Sequence, residues 1–401
     1  MPTLRAPLVA ALATTLCVLG TAVPSGEPAP SAVRAALARL VTAGGAPGAA
    51  LLGEDPSGTR YRTAGAALGR DDHFRAGSVT KSFVATVVLQ LAAEGRLGLD
   101  DTVERYLPGL VRGHGNDGRH LTLRSLLSHT SGLFNYTADT TVPVPVTADE
   151  VIRTALAHSP GRPGRYSYAN TNYVLLGLII EAVTGHPYAV EAQRRILTPL
   201  HLTGTSFPGA RTQLPEPHSR AYAPDGRDVT DLDPRQAGAS GELISTLADL
   251  SSFYAALLGG ALLPPAQRRE LLDTTATLGV YGLGVYPQRL DCGLTVWGHN
   301  GHIAGSFVRA ATTSDGRHTL VFRVNTDALT DPSLELALLD AEFCPKSGAL
   351  SASAAPPAPA PPSRPVPAPP SRPVPAPPSR PVPAPPSRSV PPPAPGPSPA
   401  R

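Results

Sequence analysis

Apolar residues recur every third or fourth position in "SAVRAALARLVTAG" (31–44), which predicts a helix closed by glycine. The pattern then shortens. "GAALLGEDPSGTRYRTAGAAL" (48–68) reads as two short strands around a Pro-Ser-Gly turn. Helical spacing dominates from Thr80 to about Leu202. Strands return in "LTVWGHNGHIAGSFVRAATTSDGRHTLVFRVNT" (294–326), where Asp315-Gly316 marks a hairpin. A last helix, "PSLELALLDAEFC" (332–344), closes the body. Strands at both ends with helices between predict an α+β fold. An antiparallel β-sheet flanked by helices is assembled from the two ends, and a mainly helical lobe is inserted. The cleft between lobe and sheet is the natural place for a site.

Two flanking segments break the pattern. Leu8 to about Val23 is an apolar run after one arginine, ending in Gly20-Thr21-Ala22. It is too short for a spanning helix, and a Ser/Pro/Gly run follows it, so residues 1–22 are read as a secretory signal peptide and the protein as exported, to the extracellular space or the cell wall. At the far end "PVPAPPSR" repeats every eight residues, spacing Arg364, Arg372, Arg380 and Arg388 evenly. Proline at that density forbids helix and central strand, so residues 347–401 are expected to be a disordered, extended tail, a spacer or a contact to an anionic cell wall. The body is then 31–346.

Charge narrows the partners. The net charge of +3 hides five arginines and no acid in 347–401, leaving 29 basic against 31 acidic residues before it. A near-neutral body carries no basic stripe for nucleic acid. Cleavage of the signal would remove Cys17. The two remaining cysteines, Cys292 and Cys344, are expected to pair as a disulfide in an oxidising compartment.

The basic residues are almost all arginine: of 34, only Lys81 and Lys346 are lysines. Lys81 opens a helix apolar on nearly all sides, hence buried, with Gly95 as its stop. Ser78 lies three residues earlier, on the same face. An amine in an apolar setting at a positive helix end loses its proton more easily, and a neutral amine beside a hydroxyl can activate it as a nucleophile. Arginine could not do this, because guanidinium stays charged. The pair alone is weak, since a serine three positions before one of two lysines arises by chance about one time in ten. It gains weight from Tyr168-Ala169-Asn170, just ahead of a second apolar helix, and from His299-Asn300-Gly301 at a strand end.

That ordered triple, with "FRAGSVTKSF", "LLSHTSGL", "YSYANTNYVLLG", "YGLGV" and "WGHNG", resembles the serine penicillin-recognising hydrolases over residues 31–346. Among them the chain is most similar to secreted actinomycete D-alanyl-D-alanine carboxypeptidases and class C β-lactamases. The resemblance implies Ser78 as nucleophile, Lys81 as its base, Tyr168 as proton shuttle and His299 as support for proton transfer. It implies Asn170 as a holder of Lys81 and of substrate, Asn300, Gly301 and His302 as substrate-binding positions, and the N–H groups of Ser78 and His302 as oxyanion donors. No metal or organic cofactor is expected, and no H-E-x-x-H pair occurs.

The expected reaction is removal of terminal D-Ala from peptidoglycan stem peptides through an acyl-enzyme, with β-lactams as acylating ligands. Asn300 and His302 depart from the hydroxyl-bearing pattern that grips a free carboxylate, and Arg289 is the residue that could compensate. The same machine as an esterase, D-amino-acid amidase or β-lactamase is therefore the alternative. A non-catalytic wall-binding protein is the alternative of another class.

Overall fold

The computed structural model describes residues 29–344 except 142, 143, 145, 146 and 328. The expected leader, the proline-rich repeats and Lys346 lie outside the described residues. The strands relevant to the site are β1 (Gly48–Asp55), β2 (Gly58–Gly65), β3 (Phe74–Arg75), β4 (Ile244–Ser245), β5 (Tyr286–Arg289), β6 (Thr295–Ile303), β7 (Ser306–Thr313) and β8 (Thr319–Val324). Six of them form one antiparallel sheet in the order β2-β1-β8-β7-β6-β5, so the two ends of the body meet where β1 pairs with β8. The remaining two, β3 and β4, pair with each other.

Strand alternation sorts the core. On β8, Leu320, Phe322 and Val324 pack with Leu37 and Leu40 of α1 (Ala29–Thr42) and Leu334 and Leu338 of α5 (Ser333–Phe343). Val321, between them, belongs to the opposite core with Phe253 and Leu257 of α4 (Leu247–Gly259). That second core continues into the inserted lobe, where α2 (Thr80–Ala93) and α3 (Asn170–Thr184) pack together. Both helices are apolar all round and both are buried, as helices without a polar face must be. Phe83 of α2 stacks on Phe253 with centroids 3.7 Å apart, which ties the lobe to the sheet-covering helix. Helix α2 stops where Gly95 turns left-handed at φ +70°.

Two features were not foreseen. Between 203 and 243 regular structure is confined to two 3₁₀ turns, Pro234–Gln236 and Gly238–Ser240. The edge strand β5 pairs only with Thr295–Gly298, so His299 to Ile303 of β6 keep a free edge. The expected disulfide joins Cys292 to Cys344 with Cα atoms 5.7 Å apart, fastening the β5–β6 turn to the end of α5.

Candidate active site

A 3₁₀ turn over Gly77–Val79 runs directly into α2, and it carries Ser78 beside that free edge. Two glycines permit the approach. A Cβ on Gly301 would sit 1.8 Å from the Ala76 carbonyl oxygen, and one on Gly77, which is at φ +51°, would sit 2.6 Å from the His302 nitrogen. Main chain therefore meets main chain, and the His302 N–H and C=O face the turn that bears the nucleophile.

The Lys81 side chain is fully buried. Its Nζ lies 2.6 Å from the Ser240 carbonyl oxygen, 2.8 Å from Asn170 Oδ1 and 3.0 Å from Ser78 Oγ. The first two partners can only accept. A neutral amine has two N–H bonds, which they consume, leaving its lone pair on the Ser78 hydroxyl. Burial drives Lys81 to that neutral form, well below its ordinary value, and none of its contacts is a carboxylate. Asn170 is fixed in turn: its N–H donates to Asn135 Oδ1 at 3.0 Å and its Nδ2 to Thr137 Oγ1 at 3.3 Å.

Tyr168 sits in the extended segment ahead of α3, and its hydroxyl donates to Ser78 Oγ at 2.8 Å. Burial raises this phenol above its usual value of 10.0, so it rests protonated. The protons run in one direction, from Tyr168 to Ser78 to Lys81.

His299 packs against Tyr168 and Tyr281, and it neither bonds Ser78 nor lines the cleft in front of it. Its Nδ1 bonds the Asn300 carbonyl oxygen, which can only accept, so Nε2 is left to accept from the Tyr281 hydroxyl at 2.8 Å. Its ring centroid is 6.5 Å from that of Tyr168. Burial holds its pKa down, to about 3.

The remaining expected residues divide. His302 lines a cleft of about 350 Å3 in front of Ser78, together with Tyr136, Asn170, Asp233 and Gly241. Asn300 is paired in register with Arg309 on the face covered by α1 and α5, one residue out of phase with His299, and does not line the cleft. Arg289 pairs with Thr295, seven positions from His302 along β6, or about 23 Å at ~3.3 Å per residue. It is exposed and cannot take up the carboxylate grip.

Three participants had escaped notice. Ser240 acts through its carbonyl oxygen, Tyr281 through its bond to His299, and His129 through Tyr168. The His129 ring is fully buried, with its centroid 4.3 Å from that of Tyr168. Its Nδ1 accepts from the Ala169 N–H at 3.2 Å and from Asn172 Nδ2 at 3.1 Å, and its carbonyl oxygen accepts from the Ser167 N–H at 2.8 Å. One residue thus holds 167–169 from both its ring and its main chain. Among the described residues no group of three or more side chains could hold a metal ion.

Comparison with known proteins places the chain in a family. Residues 33–343 match the family described as Beta-lactamase. A D-stereospecific amidohydrolase from Streptomyces sp. superposes with a TM-score of 0.73 at 44% identity, covering 78% of this chain and 98% of that one. The D-amino acid amidase of Ochrobactrum anthropi SV3 gives 0.68 at 27% identity, again over 78% and 98%. Penicillin-binding protein 4 of Amycolatopsis lactamdurans is 34% identical over 239 residues, which span 55% of this chain and 62% of that relative.

Proposed function

Because this chain belongs to the beta-lactamase family, a family of serine hydrolases, we propose that it hydrolyses small acyl substrates through an acyl-enzyme on Ser78. The observation that carries this reading is the Lys81 amine, whose two N–H bonds are committed to Asn170 and Ser240. Its lone pair removes the Ser78 proton as Oγ attacks the substrate carbonyl. The N–H groups of Ser78 and His302 take the oxyanion, and preorganised donors of this kind are usually the largest electrostatic contribution to acyl transfer. Tyr168 gives its proton to the departing nitrogen or oxygen and regains one from Lys81. A water then enters, Lys81 takes its proton as the oxygen attacks the ester carbonyl, and Ser78 Oγ departs with the proton of Tyr168, which Lys81 restores.

For the substrate, amides or esters of D-amino acids are the reading supported best. Among the described residues lining the cleft, the one formal charge is the Asp233 carboxylate, held by Arg235, and no arginine is present to grip a terminal carboxylate. The Streptomyces amidohydrolase, matched over nearly its whole length, supports the same choice. The likeness to Penicillin-binding protein 4 favours D-alanyl-D-alanine carboxypeptidase activity on stem peptides as the second reading. Export to the cell wall, where such peptides are found, belongs to that reading and rests on residues 1–22. A panel of D-phenylalanine amide, its methyl ester, diacetyl-Lys-D-Ala-D-Ala and a chromogenic cephalosporin separates the two, with Ser78→Ala as control. Faster turnover of the D-Ala-D-Ala peptide than of amide and ester would reject the first choice.

A further inference from the structure

Three residues before the nucleophile, Arg75 is buried, with 3% of its surface exposed. Its Nη2 donates to the Thr212 carbonyl oxygen, while Nε and Nη1 find no acceptor in the protein. No carboxylate forms an ion pair with it among the described residues. Asp231 and Asp233 act on it only at longer range, and burial pulls its pKa down to about 10. A guanidinium in this state is costly, because charge taken from water must be compensated.

A second arginine faces the same space. Arg323, also 3% exposed, donates through Nη2 to Asp72 at 2.7 Å, and its Nε has no acceptor. Both arginines line a small cavity with Ser219, Thr230, Ser306 and Asn325. The centre of a water-sized guest has about 10 Å3 in which to sit, room for one small guest and too little for phosphate, sulfate or a carboxylate. Arg323 is in contact with a carboxylate, Asp72, and Arg75 with none, so the guanidinium of Arg75 is the uncompensated one of the pair.

We propose that the cavity binds a single monatomic anion of chloride size, held by Nε and Nη1 of Arg75 and Nε of Arg323. The anion satisfies three buried donors and offsets the unpaired charge. It also steadies the turn that carries Ser78. Ser306, in the cavity wall, donates to the Arg75 carbonyl oxygen at 2.7 Å, and the next residue, Ala76, bonds Leu243 at 2.7 Å and abuts Gly301.

The test uses the full chain. Crystals grown in bromide should give an anomalous peak within hydrogen-bond distance of Arg75 and Arg323. The melting temperature should be higher by about 2 °C or more in chloride than in gluconate at equal ionic strength, since gluconate is too large to enter. Arg75→Gln should abolish that difference. A bromide map with no peak there, equal melting temperatures in the two salts, or a difference that survives in folded Arg75→Gln would each overturn the proposal, leaving water as the occupant. If Arg75→Gln does not fold, the two measurements on the unaltered chain decide.

Discussion

Lys81 Nζ and the carbonyl oxygen of Ser240 stand 2.6 Å apart, and with Asn170 that oxygen fixes where the amine points its lone pair. An unpaired ammonium in so dry a place would cost several kcal/mol, so the amine is kept neutral. A base is thereby built without a carboxylate.

Lys81→Arg keeps the charge but cannot accept a proton. Acylation of Ser78 should fall by about 10³-fold or more, the usual worth of a positioned base. Burst kinetics with p-nitrophenyl acetate measure it, and a burst rate within tenfold of the unaltered protein would remove Lys81 from that role.

His129 should act through Tyr168. His129→Ala is expected to lower kcat by about 10–100-fold with little change in KM, as a 1 Å displacement of a reacting group can. A purely structural role would cost the same in any background. In the Tyr168→Phe background the kinetic cost should instead vanish, a coupling that a double-mutant cycle reads directly.

Asn300→Ala should leave kcat and KM within about twofold, since Asn300 does not line the cleft. Asn170→Ala, made alongside, should cost at least tenfold in kcat, because it frees an N–H of Lys81 to turn toward Ser78. A loss in Asn300→Ala as large as that in Asn170→Ala would put the Asn300 side chain in the site after all.

These outcomes mark where the sequence was legible. Ser78 and Lys81 stood out because helical spacing and all-round apolarity are local properties, and Tyr168-Ala169-Asn170 because it precedes a second such helix. Ser240 carries no side-chain signature: its carbonyl oxygen does the work, in a stretch without hydrophobic period. His129 lay inside a recognised phrase, but only the fold shows that its ring grips Ala169, 40 residues on. Asn300 was misplaced because its surroundings depend on its pairing with Arg309, which no local pattern carries. Arg289 was misjudged because pairing register, unlike period, is set by partners far along the chain.

Acid should destabilise the protein early. Burial lowers His299 from 6.5 to about 3, so the unfolded chain binds a proton there that the native state refuses. That contribution is complete above pH 6.5 and is lost as pH falls toward 3. At pH 4.5 the loss amounts to about 2–3 kcal/mol, taking ~1.4 kcal/mol per unit. Urea unfolding at pH 4.5 and 7 should show the difference shrinking by that amount in His299→Gln. An unchanged slope would mean that His299 titrates normally.

The neutrality of Lys81 can be observed directly, because the chain has only two lysines. Protein labelled with 15N at lysine Nζ gives two signals, and Lys81→Arg assigns them. Titration should place Lys81 well below 10.5, already a free amine at the pH of catalysis. A Lys81 signal that stays an ammonium up to pH 9 would contradict the mechanism at its root.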